Sequence, residues 1–103
     1  MHITFVKKRL AGGAVCAQCL EVEARLKASG HWARIDAVVE IDEALPDGDG
    51  AELARLHKVR SAPFFLVREA GETRVFTRFA QFVNEILEPA PRGDEATNQT
   101  GAC

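Results

Sequence analysis

The strongest constraint on this chain is a pair of cysteines separated by two residues, Cys16 and Cys19. Residues 2–7, which precede the pair, have the apolar content of a short strand. The pair itself begins a segment of helical period at about 16–29, in which Val22 falls on the same face as Cys19. The two cysteines therefore lie in the first turn of a helix that follows a strand.

The rest of the chain continues this alternation of strands and helices. The pattern predicts a strand at 34–41, a short helix at about 50–59, a strand after Pro63, a hairpin turn at 70–72, a returning strand at 73–77 and a last amphipathic helix at about 79–88. After residue 88 the composition changes to Pro, Gly and polar residues with no apolar period. We therefore predict one α/β domain at 1–88 and a flexible C-terminal tail at 89–103.

Length and charge narrow the class of protein. A chain of 103 residues with a net charge of −2 suits one globular domain, and it is not basic enough for a nucleic-acid footprint. No apolar run approaches the roughly 18 residues of a membrane span, and the first strand leads directly into three cations at 7–9 rather than into a signal peptide. Three cysteines are too few for a secreted disulfide scaffold. We expect a cytoplasmic protein without membrane or nucleic-acid contacts, whose cysteines carry out chemistry.

Position at a helix N-terminus suits Cys16 to nucleophilic chemistry. The first turn has unpaired N–H groups and the positive end of the helix dipole, so a thiolate there is stabilised and the pKa of the thiol should fall. The cations at 7–9 would add to this effect if the following loop folds them back. Cys19 shares the apolar face of Val22, so we expect it to be buried and to act as the resolving thiol. The acidic run at 36–52 is interpreted as a solvated edge.

A second stretch of sequence supports a redox site. A Cys-x-x-Cys pair at the start of the first helix of a strand–helix–strand pattern is typical of thioredoxin-like redox sites. Downstream, Ala62-Pro63 precedes an apolar strand, and over residues 2–88 the chain resembles thioredoxin-fold proteins of the small, glutaredoxin-like kind. The resemblance implies the order β-α-β-α-β-β-α, with a central mixed four-stranded sheet flanked by helices. It also implies that Pro63 is a cis-proline beside the cysteines, with Ala62 and Pro63 as the substrate-binding residues.

The function implied by the resemblance is thiol–disulfide exchange with protein disulfides, with Cys16 and Cys19 as the catalytic residues. The expected partners are a protein disulfide substrate and a thiol reductant, and one such role is electron donation to a thiol-dependent reductase. A monomer without cofactor or metal is expected. The chain departs from the pattern in two places. Ala17-Gln18 replaces the Gly-Pro of thioredoxins and the Pro-Tyr of many glutaredoxins, and residues 73–77 replace the Gly-Gly-x-Asp segment with which glutaredoxins hold glutathione.

Other interpretations of the cysteine pair remain open. It could be half of a structural zinc site, but such sites have four ligands, and the other candidates are scattered: Cys103, His2, His31 and His57. The domain could also be a non-enzymatic thioredoxin-fold adaptor, or a carrier of a metal or iron–sulfur cluster shared between two chains. The last residue, Cys103, is interpreted as an incidental exposed cysteine rather than a second resolving thiol.

Overall fold

The structure is a computed structural model that describes residues 1–89. Its elements are β1 (His2–Arg9), α1 (Ala17–Ala28), β2 (Ala37–Asp42), α2 (Asp49–Leu56), β3 (Phe64–Glu69), β4 (Glu72–Phe76) and α3 (Phe79–Phe82), which continues as one turn of π-helix over Val83–Leu87. Their order is the predicted one. Within residues 1–89, no helix has the length and apolar character to cross a bilayer. Apart from Pro89, the predicted tail at 89–103 lies outside the described residues, so the domain limits stay a prediction.

The four strands form one mixed sheet in the order β2-β1-β3-β4. β1 pairs in parallel with β2, so α1 serves as the crossover between them, whereas β3 is antiparallel to both β1 and β4. β3 and β4 are joined through Ala70 and Gly71, whose φ angles of 54° and 81° are those of a tight hairpin turn. The predicted mixed four-stranded sheet and its hairpin are confirmed.

The face of the sheet toward α1 and α3 holds most of the core, and we call it the aromatic face. The Phe65 ring stacks on Phe82 of α3, with 3.9 Å between ring centroids, and on Phe5 of β1 at 5.2 Å. Trp32, which follows α1, meets Phe5 edge-on at 6.0 Å and so serves hydrophobic packing. The buried residues of this face are Ile3, Phe5, Val22, Leu26, Phe65, Val67, Phe76, Phe82, Ile86 and Leu87.

The opposite face is covered by α2 alone among the described helices, and we call it the α2 face. Its buried residues are Val6, Phe64 and Leu66. The helix reaches the sheet by a close backbone approach. A Cβ built on Gly50 would lie 2.8 Å from the Ile41 nitrogen and closer still to the Glu40 carbonyl oxygen. Glycine at this position therefore lets α2 lie directly on the edge strand.

The sequence-based limits of α2 were wrong. The helix covers Asp49–Leu56 instead of 50–59, and the backbone then turns through Lys58 at a φ of 57°. The sequence predicts Leu53, Leu56 and Val59 as the apolar side of this helix, but Leu56 has 73% of its surface exposed. Leu53 and Val59 do pack against the α2 face. An eight-residue helix has too few turns for its whole apolar stripe to meet the sheet, which explains the exposed leucine.

Three other limits differ from the prediction. β1 continues beyond residue 7 to Arg9, because its pairing with β2 extends to Asp42. A 3₁₀ turn occupies His31–Arg34, so β2 begins at Ala37 and not at residue 34. The last helix, predicted at 79–88, changes to π geometry after Phe82. Apolar periodicity does not separate these helical forms, since each of them can bury the same side chains.

Candidate active site

The cysteine pair occupies the N-terminus of α1, at one end of the aromatic face. Cys16 is the N-cap residue, and its Sγ accepts a hydrogen bond from the Cys19 N–H at 3.0 Å, which satisfies one of the free donors of the first turn. The two side chains form a disulfide, with 5.2 Å between their Cα atoms. Cys16 is partly exposed, whereas Cys19 has 0% of its surface exposed, so the predicted burial of Cys19 is confirmed. An incoming molecule can therefore reach Cys16 more easily than Cys19.

The backbone of Lys8 holds both cysteines. Its carbonyl oxygen accepts the Cys16 N–H at 2.9 Å, and its own N–H donates to the Cys19 Sγ at 3.4 Å. Lys8 lies in β1, a central strand of the sheet, where it pairs with Ile41 of β2. The Cys16 backbone and the Cys19 sulfur are thus both fixed to a central strand of the sheet. Sequence reasoning missed this contact because a backbone donor and acceptor have no residue signature.

Arg9 forms hydrogen bonds to both the loop before Cys16 and the edge strand β2. The guanidinium of Arg9 donates to the Gly13 carbonyl at 2.6 Å and to both carboxylate oxygens of Glu40, at 2.8 and 3.0 Å. Within the loop, the Leu10 N–H donates to the Ala14 carbonyl at 2.7 Å. A single side chain therefore connects the approach to the cysteine pair with β2.

The three cations at 7–9 are engaged by carboxylates. Sequence reasoning allowed them to fold back over the Cys16 thiolate, but each one meets a glutamate. The pairs, with their N–O distances, are Lys7–Glu23 at 3.3 Å, Lys8–Glu43 at 3.0 Å and Arg9–Glu40 at 2.8 Å. The acidic run at 36–52 thus contributes ion-pair partners as well as a solvated edge. Support for a Cys16 thiolate comes from the first turn of α1 rather than from these three cations.

The ion pairs keep their carboxylates charged. A hydrogen bond from Lys27 is the largest cause that lowers the pKa of Glu23, and partial burial opposes it. Hydrogen bonds from Arg9 and Lys8 in the same way lower the pKa values of Glu40 and Glu43. At neutral pH this end of the sheet therefore carries alternating opposite charges.

Ala62 and Pro63 directly precede β3. The bond between them is cis, as the resemblance implied, and Pro63 is buried immediately before β3. β3 begins at Phe64, which pairs with Val6 of β1, two residues before the Lys8 whose backbone bonds to both cysteines. β1 thus links the two parts of the predicted site, because its Lys8 bonds to Cys16 and Cys19 and its Val6 pairs with the strand that follows Ala62 and Pro63. Their catalytic and substrate-binding roles stay predictions.

The other candidate ligands of the zinc interpretation are distributed over the fold. His31 bonds to Ser29 at 3.0 Å and lies 3.2 Å from the Glu88 carboxylate, while His2 approaches Thr4 at 3.5 Å. Among the described residues, no group of three or more His, Cys, Asp or Glu is arranged to hold a metal ion. Cys103 lies outside the described residues.

Comparisons with known proteins agree on the fold. No protein-family model and no curated protein sequence matches the chain. A solution structure of a thioredoxin from Thermus thermophilus has 22% identity and a TM-score of 0.47, over 84% of this chain and 72% of that one. A crystal structure of Chlamydomonas reinhardtii thioredoxin f2 has 16% identity and a TM-score of 0.50, over 85% and 82%.

The chain is therefore a thioredoxin-fold protein with a Cys-x-x-Cys pair. Thioredoxins share this arrangement of a mixed four-stranded sheet and flanking helices. The Cys16–Cys19 disulfide at the N-terminus of α1 adds the chemical feature, and together they support a thiol–disulfide redox role in general terms.

Proposed function

We propose that this protein is a thiol–disulfide oxidoreductase that acts on protein disulfides through Cys16 and Cys19. The observation that carries the proposal is the contrast between the two sulfur atoms. Cys16 is partly exposed and its sulfur accepts an N–H of the first helical turn, while Cys19 is buried and its sulfur is bonded to that of Cys16. One thiol is thus accessible for attack and the other is held ready for the second step.

The exchange conserves atoms and electrons. The Cys16 thiol loses its proton, and the thiolate attacks one sulfur of the substrate disulfide, which forms a mixed disulfide and releases the other substrate sulfur as a thiolate. The Cys19 thiol then loses its proton and attacks the Cys16 sulfur, which releases the second substrate thiolate. The two released thiolates take up two protons, the substrate disulfide is reduced by two electrons, and Cys16–Cys19 becomes the disulfide seen in the structure.

Ala62 supplies the surface on which a substrate backbone would align. It immediately precedes Pro63 and β3, the strand whose Phe64 pairs with Val6, two residues from the Lys8 backbone that bonds to the cysteines. An extended peptide is the natural ligand of such a backbone segment. We propose protein disulfides as the substrates, a small or protein thiol as the reductant that regenerates the dithiol, and a monomer in the cytoplasm as the working form. A thiol-dependent reductase that receives these electrons is one possible acceptor.

The test is reduction of insulin disulfides by the full chain with dithiothreitol as electron donor. Cys16→Ser should lower the rate by roughly 100-fold or more, because the attacking sulfur is lost. Cys103→Ser is the matched control, since it removes a cysteine that the proposal does not use, and it should retain the wild-type rate. An unchanged rate in Cys16→Ser would contradict the proposal.

A second variant tests the order of attack and identifies the partner. Cys19→Ser should accumulate a mixed disulfide between Cys16 and the substrate, because the resolving thiol is absent. Mass spectrometry of the trapped complex measures which cysteine is linked, and a trapped reductase would support the role as an electron donor. A complex linked through Cys103 instead of Cys16 would contradict the assignment of the nucleophile.

A further inference from the structure

The short helix α2 leaves part of its own face of the sheet uncovered. α2 ends at Leu56, and the chain then turns at Lys58. A groove of about 370 Å³ lies between this helix and the strands, and Leu53, Leu56 and Leu66 are among the residues that line it. This volume lies within the range of roughly 300–1,000 Å³ that is usual for small-molecule sites. The exposed leucine of α2 thus forms part of the wall of a groove.

Three polar side chains lie side by side in this groove. His2 of β1 pairs with Arg68 of β3, and Arg68 pairs in turn with Thr73 of β4. Arg68 is two residues after Leu66, which is buried in the α2 face, so both side chains project from the same face of the sheet. All four residues line the groove. The Arg68 guanidinium therefore lies beside a leucine-lined surface, with a histidine on one side and a threonine hydroxyl on the other.

The charge of Arg68 is available to a ligand. No carboxylate among residues 1–89 lies within 4.0 Å of its side-chain nitrogens, and within that range no acidic residue lines the groove. The nearby glutamates of the β3–β4 hairpin, Glu69 and Glu72, line a separate pocket on the aromatic face. From α2, His57 adds a second imidazole to the groove. A leucine-lined groove with one unmatched cation is complementary to an anion that has an apolar body.

We propose that this groove is a binding site for a small aliphatic monocarboxylate. The Arg68 guanidinium donates two parallel hydrogen bonds to the carboxylate, and the Thr73 hydroxyl is placed to donate a further one. The aliphatic chain lies along Leu53, Leu56 and Leu66, so that its surface and that of the exposed leucine are removed from water. The site is on the face of the sheet opposite to the one that α1 covers, and it does not depend on the proposed function.

The experiment is an NMR titration of the full chain with hexanoate at low ionic strength, followed through the methyl resonances of the groove leucines. 1-Hexanol is the uncharged match, and acetate carries the charge without the chain. The wild-type protein should bind hexanoate roughly 5-fold more tightly than 1-hexanol, because only hexanoate pairs with Arg68. Acetate should leave the methyl resonances in place. Arg68→Gln should abolish the preference for hexanoate, and Leu56→Ser should weaken the binding of both six-carbon ligands by roughly 3-fold.

Arg74→Gln is the matched control, because Arg74 belongs to the same hairpin but pairs with Glu85 on the aromatic face. It should retain the wild-type preference. Equal affinities for hexanoate and 1-hexanol, or an unchanged preference in Arg68→Gln, would overturn the proposal.

Other occupants of the groove have their own signatures in the same spectra. Leucine methyl resonances that shift with protein concentration before any ligand is added would indicate a second copy of the chain in the groove. Nuclear Overhauser contacts from residues 90–103 to these methyl groups would indicate the chain's own C-terminal segment. Either result would overturn the proposal. Urea unfolding of each variant verifies that the fold is retained.

Discussion

The two faces of the sheet differ in how they are built. The aromatic face buries ten residues under α1 and α3, and its phenylalanine rings stack on one another across the strands. The α2 face buries three residues under an eight-residue helix that touches the sheet through the backbone of Gly50. Side-chain packing dominates the aromatic face, whereas the α2 face combines a smaller set of side-chain contacts with the close approach of two backbones.

The cysteine pair lies on the more heavily packed face. Cys19 belongs to the same side of α1 as Val22 and Leu26, which are buried against the sheet. A reactive pair needs to keep its sulfur atoms within a fraction of an ångström of the reacting geometry, and supporting residues locked by packing provide this. We infer that the aromatic face would support the chemistry proposed for the cysteine pair, while the α2 face completes the fold. The predictions below test this division.

The largest effect is expected from removing a ring of the aromatic face. Phe82→Ala should lower the free energy of unfolding by roughly 3–5 kcal/mol, because the Phe65 ring loses its closest stacking partner and a cavity remains. Urea unfolding measures the change. Phe82→Leu keeps most of the volume and should cost less, which provides a readout if the alanine variant does not fold. A loss below about 1 kcal/mol for Phe82→Ala would show that this face is not the main core.

The next effect concerns the backbone approach on the α2 face. Gly50→Ala should destabilise the protein by about 1–3 kcal/mol, because the added methyl group collides with the backbone at Glu40 and Ile41 and α2 must move away. Gly12→Ala is the matched control. A Cβ at Gly12 meets nothing within 4 Å, so it should change the stability little. Equal stabilities of the two variants would mean that α2 does not depend on this approach.

A smaller effect is expected from acid titration of the ion pairs on α1. Lys7 of β1 joins Glu23 of α1 across the aromatic face, whereas Glu52 and Arg55 of α2 pair only within their own helix. Because the pKa of Glu23 is lowered in the folded state, its contribution is present above the ordinary glutamate pKa of about 4.3 and is lost as the pH falls through the lowered value. The expected loss is roughly 1 kcal/mol or less.

Urea unfolding of wild type and Glu23→Gln at neutral pH and at about pH 3 measures this loss. The difference between the two proteins should be largest at neutral pH and should shrink in acid. Glu21→Gln, which removes a largely exposed carboxylate of the same helix, is the control and should show a weaker dependence. A difference that grew in acid would contradict the sign derived from Glu23.

The smallest effect is expected at Leu56. Its side chain is largely exposed on α2, so Leu56→Ala should change the free energy of unfolding by no more than about 0.5 kcal/mol. The same urea experiment tests it. A loss comparable to that of Phe82→Ala would mean that the α2 face buries more than three residues.

Much of the fold was predictable because its signals are local. The helical period correctly put Cys19 on the buried face of α1, and the turn at Ala70-Gly71 correctly joined β3 to β4. The limits of α2 and the exposure of Leu56 were not predictable in this way. Periodicity shows which side of a helix is apolar, but the length of helix that meets the sheet depends on where the chain turns at Lys58.

The candidate site likewise has features that the sequence predicted and features that it did not. The spacing of Cys16 and Cys19 predicted the reactive pair, and resemblance to a known fold, rather than any local rule, indicated the cis bond at Pro63. The pairing of the cations at 7–9 with glutamates was not foreseen, because those glutamates come from α1 and from the segment around β2. Charges that are distant in sequence meet only after the strands have paired.

The amino-acid sequence by itself determined the element types, their order and the position of the cysteine pair at the start of a helix, because periodicity and spacing act over a few neighbouring residues. The tertiary structure alone decided that β1, whose Lys8 bonds to both cysteines, pairs with the strand after Pro63, and that Arg9 of β1 meets Glu40 of β2. Both relations depend on the register between strands far apart in the chain. The register between strands is set by which residues the whole sheet buries, so it cannot be inferred from a short segment of sequence.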